Sequence, residues 1–293
     1  MGRGERSGRL LFVLPALLLL LLTQAWPLAY SLWFSLFDWT LARSPVPGAF
    51  VGLGNYRRAL ADQVFIGSVT VTVTFAVATV TLQMFAGFAL ACLTLGESLV
   101  FQASRALLVV PMVIAPVAVG TMWRMLLSTQ AGPVNYLLGL VGIPGPDWLG
   151  DPDLALVSLI LIDAWQWTPF VLVVYAAALA SLPDEPFHAA ALDGATRWQA
   201  FRYVMLPLLW PVTLLLLMFR LIDSLLTLDL VVTTTFGGPG FRTHTLSFWI
   251  YQQGLRYFNI SYAAATSWLL LLACLAIAVA LLAWRQRAMA WIA

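Results

Sequence analysis

The sequence predicts an all-α integral membrane protein with six membrane-spanning helices. Three observations predict it. Of 293 residues, 61% are hydrophobic and 10% charged, with a mean hydropathy of +0.90. A soluble domain carries about 25% charged residues, so this chain lacks the polar groups to cover its surface in water. The apolar residues also gather into runs long enough to cross a bilayer, which takes about 20 residues of helix. Finally, the segments between those runs carry an arginine asymmetry that gives one consistent orientation.

The spans are expected at about 10–33, 66–94, 104–127, 154–181, 204–234 and 261–284. At the first, Arg3, Arg6 and Arg9 precede the leucine run Leu17–Leu22, the order found in a secretory signal. The apolar stretch runs on through Trp26, Tyr30, Trp33 and Phe34, aromatics suited to a membrane interface. No small-residue cleavage site follows, so the segment is expected to stay as a span. With the N-terminus inside, the inner segments hold eight arginines: Arg3, Arg6, Arg9, Arg105, Arg197, Arg202, Arg285 and Arg287. The outer ones hold five: Arg43, Arg57, Arg58, Arg242 and Arg256. Arg124 and Arg220 fall in or near spans, and the 128–153 loop has no arginine but carries Asp147, Asp151 and Asp153. Both termini are therefore expected in the cytoplasm. No loop is long enough for a soluble domain, and residues 1–293 read as one membrane domain.

Composition also excludes functions. The chain has no lysine; all fifteen basic residues are arginine. A P-loop needs a lysine to reach the terminal phosphates, so the chain is no Walker ATPase or GTPase. Schiff-base chemistry is excluded for the same reason. A formal charge of +2 is too small for nucleic acid binding. Cys92 and Cys274 lie in apolar runs and read as small buried hydrophobes. His188 and His244 are far apart and lack cysteine partners, so no metal site is expected.

The segment 183–207, between the fourth and fifth spans, carries the most local chemistry. Asp184 suits a helix cap, with Glu185 and Pro186 in the first turn. Ala189–Ala191 favour helix, and Gly194 suits the left-handed position that ends one. Thr196-Arg-Trp-Gln199 then fits a capping box. The expectation is two short helices with a sharp joint. On composition alone, a plain connecting loop is the commoner reading.

This loop resembles the EAA loop of binding-protein-dependent ABC importer permeases. Ala189, Ala190, Asp193, Gly194, Ala195, Phe201, Leu206 and Pro207 match that signature in register, and Val204 replaces its isoleucine. His188 departs from it, standing where glutamate is usual. Further resemblance, to the sugar and glycerol-phosphate (maltose-permease-like) branch, runs through the chain in order. It covers Trp26–Tyr30, Phe50–Tyr56, Arg105 with Pro111, Pro116 and Trp123, Gly132–Asn135, Trp165–Phe170 and Phe236–Gly240.

The resemblance implies a type I ABC importer permease fold and a bacterial or archaeal inner membrane. It implies that Phe187, His188, Ala189, Ala190, Asp193, Gly194, Ala195, Phe201 and Pro207 form a coupling helix and joint that dock on an ATP-binding subunit. The implied partners are a second homologous permease, two ATPase subunits that bind ATP and Mg, and an extracytoplasmic substrate-binding protein. No cofactor is expected in this chain.

Ionisable side chains inside a bilayer are costly and usually face a protein interior or pathway. Asp163 lies in the fourth expected span, and Arg220, Asp223 and Asp229 in the fifth. Arg220 and Asp223, at i and i+3, can meet on one helix face; Asp229 should return near it. These four residues read either as a translocation path or gate, or as a structural ion pair. Trp165, Trp167 and Phe170 suit interfacial anchors better than a sugar platform. Two rival functions stand beside the permease: an ion-driven secondary transporter using Asp163 and Asp223, and an intramembrane enzyme. The enzyme lacks any Ser–His or His–Glu motif in a span, so no catalytic residue is assigned.

Overall fold

A computed structural model describes residues 14–94 and 99–290. Arg3, Arg6 and Arg9, counted above for orientation, and the first four residues of the expected first span lie outside the described residues. Helices dominate the described chain: α1 (Leu14–Ser35), α2 (Gly54–Ala61), α3 (Gln63–Leu93), α4 (Leu99–Val113), α5 (Pro116–Leu126) and α6 (Pro133–Leu140). They continue as α7 (Ala155–Ala180), α8 (Glu185–Leu192), α9 (Arg197–Leu225), α10 (Asp229–Thr233), α11 (Leu246–Tyr251) and α12 (Ile260–Ala290). Among the described residues, five helices (α1, α3, α7, α9 and α12) are long and apolar enough to cross a membrane.

The third expected span is not one straight helix. It is the pair α4 and α5, bent by 96°. Pro116 is the cause: its ring disfavours a helical conformation for the residue before it, and Ala115 is extended at φ −58°, ψ 136°. Counting this pair as one span gives six.

The fifth expected span is displaced. Its helix starts at Arg197, earlier than the apolar run suggests, and stops at Leu225. Residues 226–228 break it, and Asp229 opens the separate helix α10. Within α9, a wide turn at Phe201–Met205 precedes Pro207, and Leu206 N–H donates to the carbonyl of Phe201. That turn makes room for a ring that has no N–H and would otherwise crowd the preceding carbonyls.

The chain divides into two compact units. The first comprises residues up to Ile66 with Trp249–Leu271. There, buried Asn55 donates to the carbonyls of Ser35 and Phe37 at 2.8 and 2.7 Å, and the Tyr56 hydroxyl pairs with Ser35 Oγ at 2.7 Å. These bonds tie the Phe50–Tyr56 segment to the end of α1. Tyr262 donates to Asp62 at 3.0 Å, and the Arg58 guanidinium lies over its ring at 4.8 Å.

The second unit, Gly67–Phe248 with residues from Leu272 on, holds both sites described next. Its core is built by α3, α7 and α9 from Ala91, Val171, Tyr175, Leu179, Leu209 and Leu216. Within the same unit, α10 packs on α5 at Gly120. A Cβ there would fall on Thr233 Oγ1 and Cβ, so only glycine permits this approach.

Candidate functional site

Two places in the second unit bring the sequence-predicted residues together. The first is a cavity of about 280 Å³ at the two helix breaks. Pro116 lines it from the α4–α5 break, and Leu226, Thr227, Leu228, Asp229 and Leu230 from the α9–α10 break. Asp163, Gln166 and Trp167 of α7 and Asp223 of α9 complete the lining. Discontinuous helices in membrane proteins free backbone polar groups, and they are tolerated where they line a cavity or lie within protein. Here Gln166 repairs one break, donating from Nε2 to the freed carbonyl of Ile114 at 3.0 Å.

Behind the lining, Arg220 organises a polar network. It is 2% exposed. Its Nε donates to Gln83 Oε1 at 2.9 Å, and its two terminal nitrogens go to Asp163 (3.4 Å) and Asp223. Gln83 Nε2 in turn donates to the Asp163 carboxylate at 2.9 Å. The guanidinium lies over the Trp167 ring, 4.8 Å from its centroid. A charge taken out of water needs this degree of pairing. The two carboxylates differ: the Asp163 side chain is 5% exposed and that of Asp223 55%.

Of the four polar positions predicted from the sequence, Asp163, Arg220 and Asp223 thus form one network, i to i+3 contact included. Asp229 does not share their helix face. It sits on α10, exposed, and reaches the same cavity from the far side of the break. Trp167 is not an interfacial anchor: it lies in the middle of α7 beneath Arg220. Phe170 packs against the α3–α7–α9 core, while Trp165 meets Trp123 edge to face at 5.4 Å. Sequence reasoning passed over Gln83 and Gln166, both about 1% exposed or less. The signal was present for Gln83, an amide inside a long run free of charges, because a polar group in a span usually seeks a helix partner.

The second place is the elbow between α8 and α9. Gly194 N–H donates to Ala191 and Ala195 N–H to Ala190, at 3.1 and 2.9 Å. This is the Schellman arrangement, which requires a left-handed residue just past the helix end; Gly194 supplies it at φ +76°. Two residues on, Thr196 starts α9 with the predicted capping box: Thr196 Oγ1 accepts from Gln199 N–H at 3.3 Å, and Gln199 Oε1 accepts from Thr196 N–H at 2.7 Å. Asp184 stands at the cap position of α8 but makes no side-chain cap bond, so the expected cap acts by position alone.

Ala190, Asp193, Gly194 and Ala195 line a hollow of about 310 Å³ in the crook of this elbow, closed by Gln199, Ala200, Tyr203 and Val204. His188 and Ala189 are exposed and Phe187 is half-buried. Phe201 turns back towards Phe88 of α3, with centroids 6.2 Å apart, and stacks on Trp198. Pro207 lies one turn beyond, after the wide turn. Around the elbow, Leu192 is 90% exposed, Trp198 65% and Tyr203 69%.

Among the described residues, no His, Cys, Asp or Glu side chains converge into a set fit to hold a metal ion.

Residues 9–290 match the model of a family described as the binding-protein-dependent transport system inner membrane component. The chain is 38% identical over 277 residues to a probable ABC transporter permease protein of Sinorhizobium fredii, covering 94% of this chain and 88% of the relative. It is 32% identical over 251 residues to the trehalose/maltose transport system permease protein MalF of Thermococcus litoralis, covering 85% and 83%. Among solved structures, a bacterial ABC transporter involved in the import of the acidic polysaccharide alginate has a chain matching at a TM-score of 0.82. Its identity is 22%, over 97% of this chain and 96% of that one.

Proposed function

Because this chain belongs to the binding-protein-dependent transport system inner membrane components, a family of multi-pass permease subunits, we propose that it forms half of a sugar importer's pathway, driven at the α8–α9 elbow. The observation that carries this reading is the elbow itself. Two helices are held at a fixed joint by a Schellman motif and a capping box, and the joint carries Leu192, Trp198 and Tyr203 uncovered. Large apolar side chains left uncovered on a rigid turn mark a surface that another protein or the membrane covers, and a docked protein is the occupant proposed for it. A rigid joint transmits displacement; because α8 leads straight into α9, a push at the elbow moves the helix that carries Arg220 and Asp223.

In this reading two ATPase subunits bind ATP and Mg, and one docks on Phe187–Ala190 and Asp193–Ala195, with Phe201 and Pro207 tying the elbow to the span. A second, homologous permease completes the pathway, and an extracytoplasmic binding protein delivers the solute. ATP binding closes the ATPases, moves the elbow and turns the cavity outward; hydrolysis resets it. The cavity with Asp163, Asp223 and Asp229, gated by Arg220, is this chain's share of the path. Both termini face the cytoplasm of a bacterial or archaeal cell, and the membrane is the inner one. The solute is a sugar or a related polar molecule, as the trehalose/maltose relative supports.

The test is at the elbow. Asp193→Arg reverses a charge at the hollow, and Gly194→Trp adds bulk and strains the left-handed position of the joint, while the apolar spans stay intact. Both variants should insert normally yet lose co-purification with the ATPase and lose transport. Normal co-purification and transport in both would rule out the elbow as the docking site.

A further inference from the structure

Among the described residues, the cavity at the helix breaks presents mostly hydrogen-bond acceptors, with the Thr227 hydroxyl and the Trp167 indole as neutral donors and no cation in its lining. Asp163, Asp223, Asp229 and Gln166 line it, and its lining holds neither arginine nor histidine. Lysine is absent from the chain altogether. Arg220 lies behind the lining with its Nε and both terminal nitrogens given to Gln83, Asp163 and Asp223, and its plane over Trp167. It is 2% exposed, so an arriving anion would have to part this packing to reach it. Gln166 adds an independent sign. It is 1% exposed, its Nε2 is held by Ile114, and its Oε1 accepts from no described residue while the side chain lines the cavity. That oxygen is left as an acceptor open to the cavity, free for a donor that enters it.

We propose that this cavity selects solutes rich in O–H or N–H donors that carry no negative charge, and rejects sugar acids, phosphates and sulfonates. The inference rests on the pathway reading and adds the sign of the charge that the path tolerates. Hydroxyl groups donate to Asp223, Asp229 and Gln166 Oε1 without disturbing Arg220. A carboxylate or sulfonate brings acceptors to acceptors and charge to like charge, the unpaired arrangement by which a site excludes a wrong ligand. A cleft lined by one sign of charge between low-dielectric walls raises the local concentration of the opposite sign and lowers that of its own. The alginate transporter shares the fold and imports an acidic polysaccharide, so the fold alone does not set this preference; the side chains do.

The charge of the cavity can be read without knowing the solute. In the assembled importer, with Cys92→Ala and Cys274→Ala, Thr227→Cys places one thiol in the lining. Two methanethiosulfonate reagents of similar size, one carrying trimethylammonium and one sulfonate, are then reacted with it, with and without ATP. Their rate ratio is compared with the ratio for a small free thiol. The cationic reagent should be favoured by roughly tenfold or more over that reference, and Asp223→Asn with Asp229→Asn should abolish most of the excess. A sulfonate reagent that reacts as well or better, or a ratio unmoved by the two asparagines, overturns the charge preference and leaves the pathway reading standing. Failure of both reagents to reach the thiol in either state removes the pathway reading, and the charge preference with it. Leu226→Cys, also in the lining, carries the same measurement should Thr227→Cys fail to assemble.

Discussion

Arg220 divides its donors between a buried carboxylate, Asp163, and a half-exposed one, Asp223, and removal of the two should have opposite consequences. Without Asp163 the guanidinium loses its buried counter-ion and Gln83 loses an acceptor. Breaking a buried pair typically costs about 3–5 kcal/mol. Asp163→Ala should therefore lower the unfolding temperature in detergent and reduce the yield of assembled complex. Asp223 is half-exposed in this chain; an exposed ion pair is worth about 1 kcal/mol or less, and Arg220 keeps Asp163 and Gln83 without it. Asp223→Ala should assemble with near-normal thermal stability and transport poorly. If Asp223→Ala abolishes expression instead, the pair is structural and Asp223 has no part in a gate.

At the scale of elements, the two helix breaks place the cavity, and one of them depends on a glycine. Gly120 of α5 lies under Thr233 of α10, which carries Asp229 at its start. Gly120→Val puts two methyl groups where Thr233 stands. Overpacking of this kind costs roughly 1–3 kcal/mol, and the cheapest relief is to lift the five-residue helix α10. Transport should fall strongly while ATPase co-purification stays normal, since the elbow is a separate feature; a loss of co-purification together with transport would show that the damage is global.

The same breaks show why the elements were unequally legible. The elbow could be read because its chemistry is local: Gly194, Thr196 and Gln199 bond within five residues of one another. The α4–α5 break was written in Pro116, yet the apolar run across it reads as one span. The α9–α10 break has no such mark. Leu225-Leu-Thr-Leu-Asp-Leu230 contains neither proline nor glycine, so periodicity carries a helix through it and puts Asp229 on the wrong element. Gln83 and Gln166 escaped for the opposite reason: Gln83 meets residues 80 and 137 positions away, and Gln166 one 52 away, separations that no local pattern encodes.

For the whole molecule, the question is where the energy enters. The chain has no lysine and so cannot build a P-loop, while three carboxylates line its cavity and one is buried. Buried carboxylates in a span also serve ion-driven carriers, so the cavity by itself fits either energy source. Membership of the binding-protein-dependent permeases favours ATP, and on the proposed reading the elbow is where that energy enters. The assembled importer with its binding protein, reconstituted in proteoliposomes, should accumulate solute after an ionophore has collapsed every ion gradient, and should stop when ATP is withheld. This chain reconstituted without ATPase subunits should accumulate nothing under any imposed proton or sodium gradient. Gradient-driven uptake by the chain alone, lost in Asp163→Asn and Asp223→Asn, would instead make those carboxylates ion sites and the elbow a bystander. Elbow variants sharpen the distinction: Gly194→Trp should abolish ATP-driven uptake while leaving the cavity's thiol reactivity at Thr227→Cys in the resting state unchanged. Energy transfer and solute passage would then be separable within one chain, at two sites joined by α9.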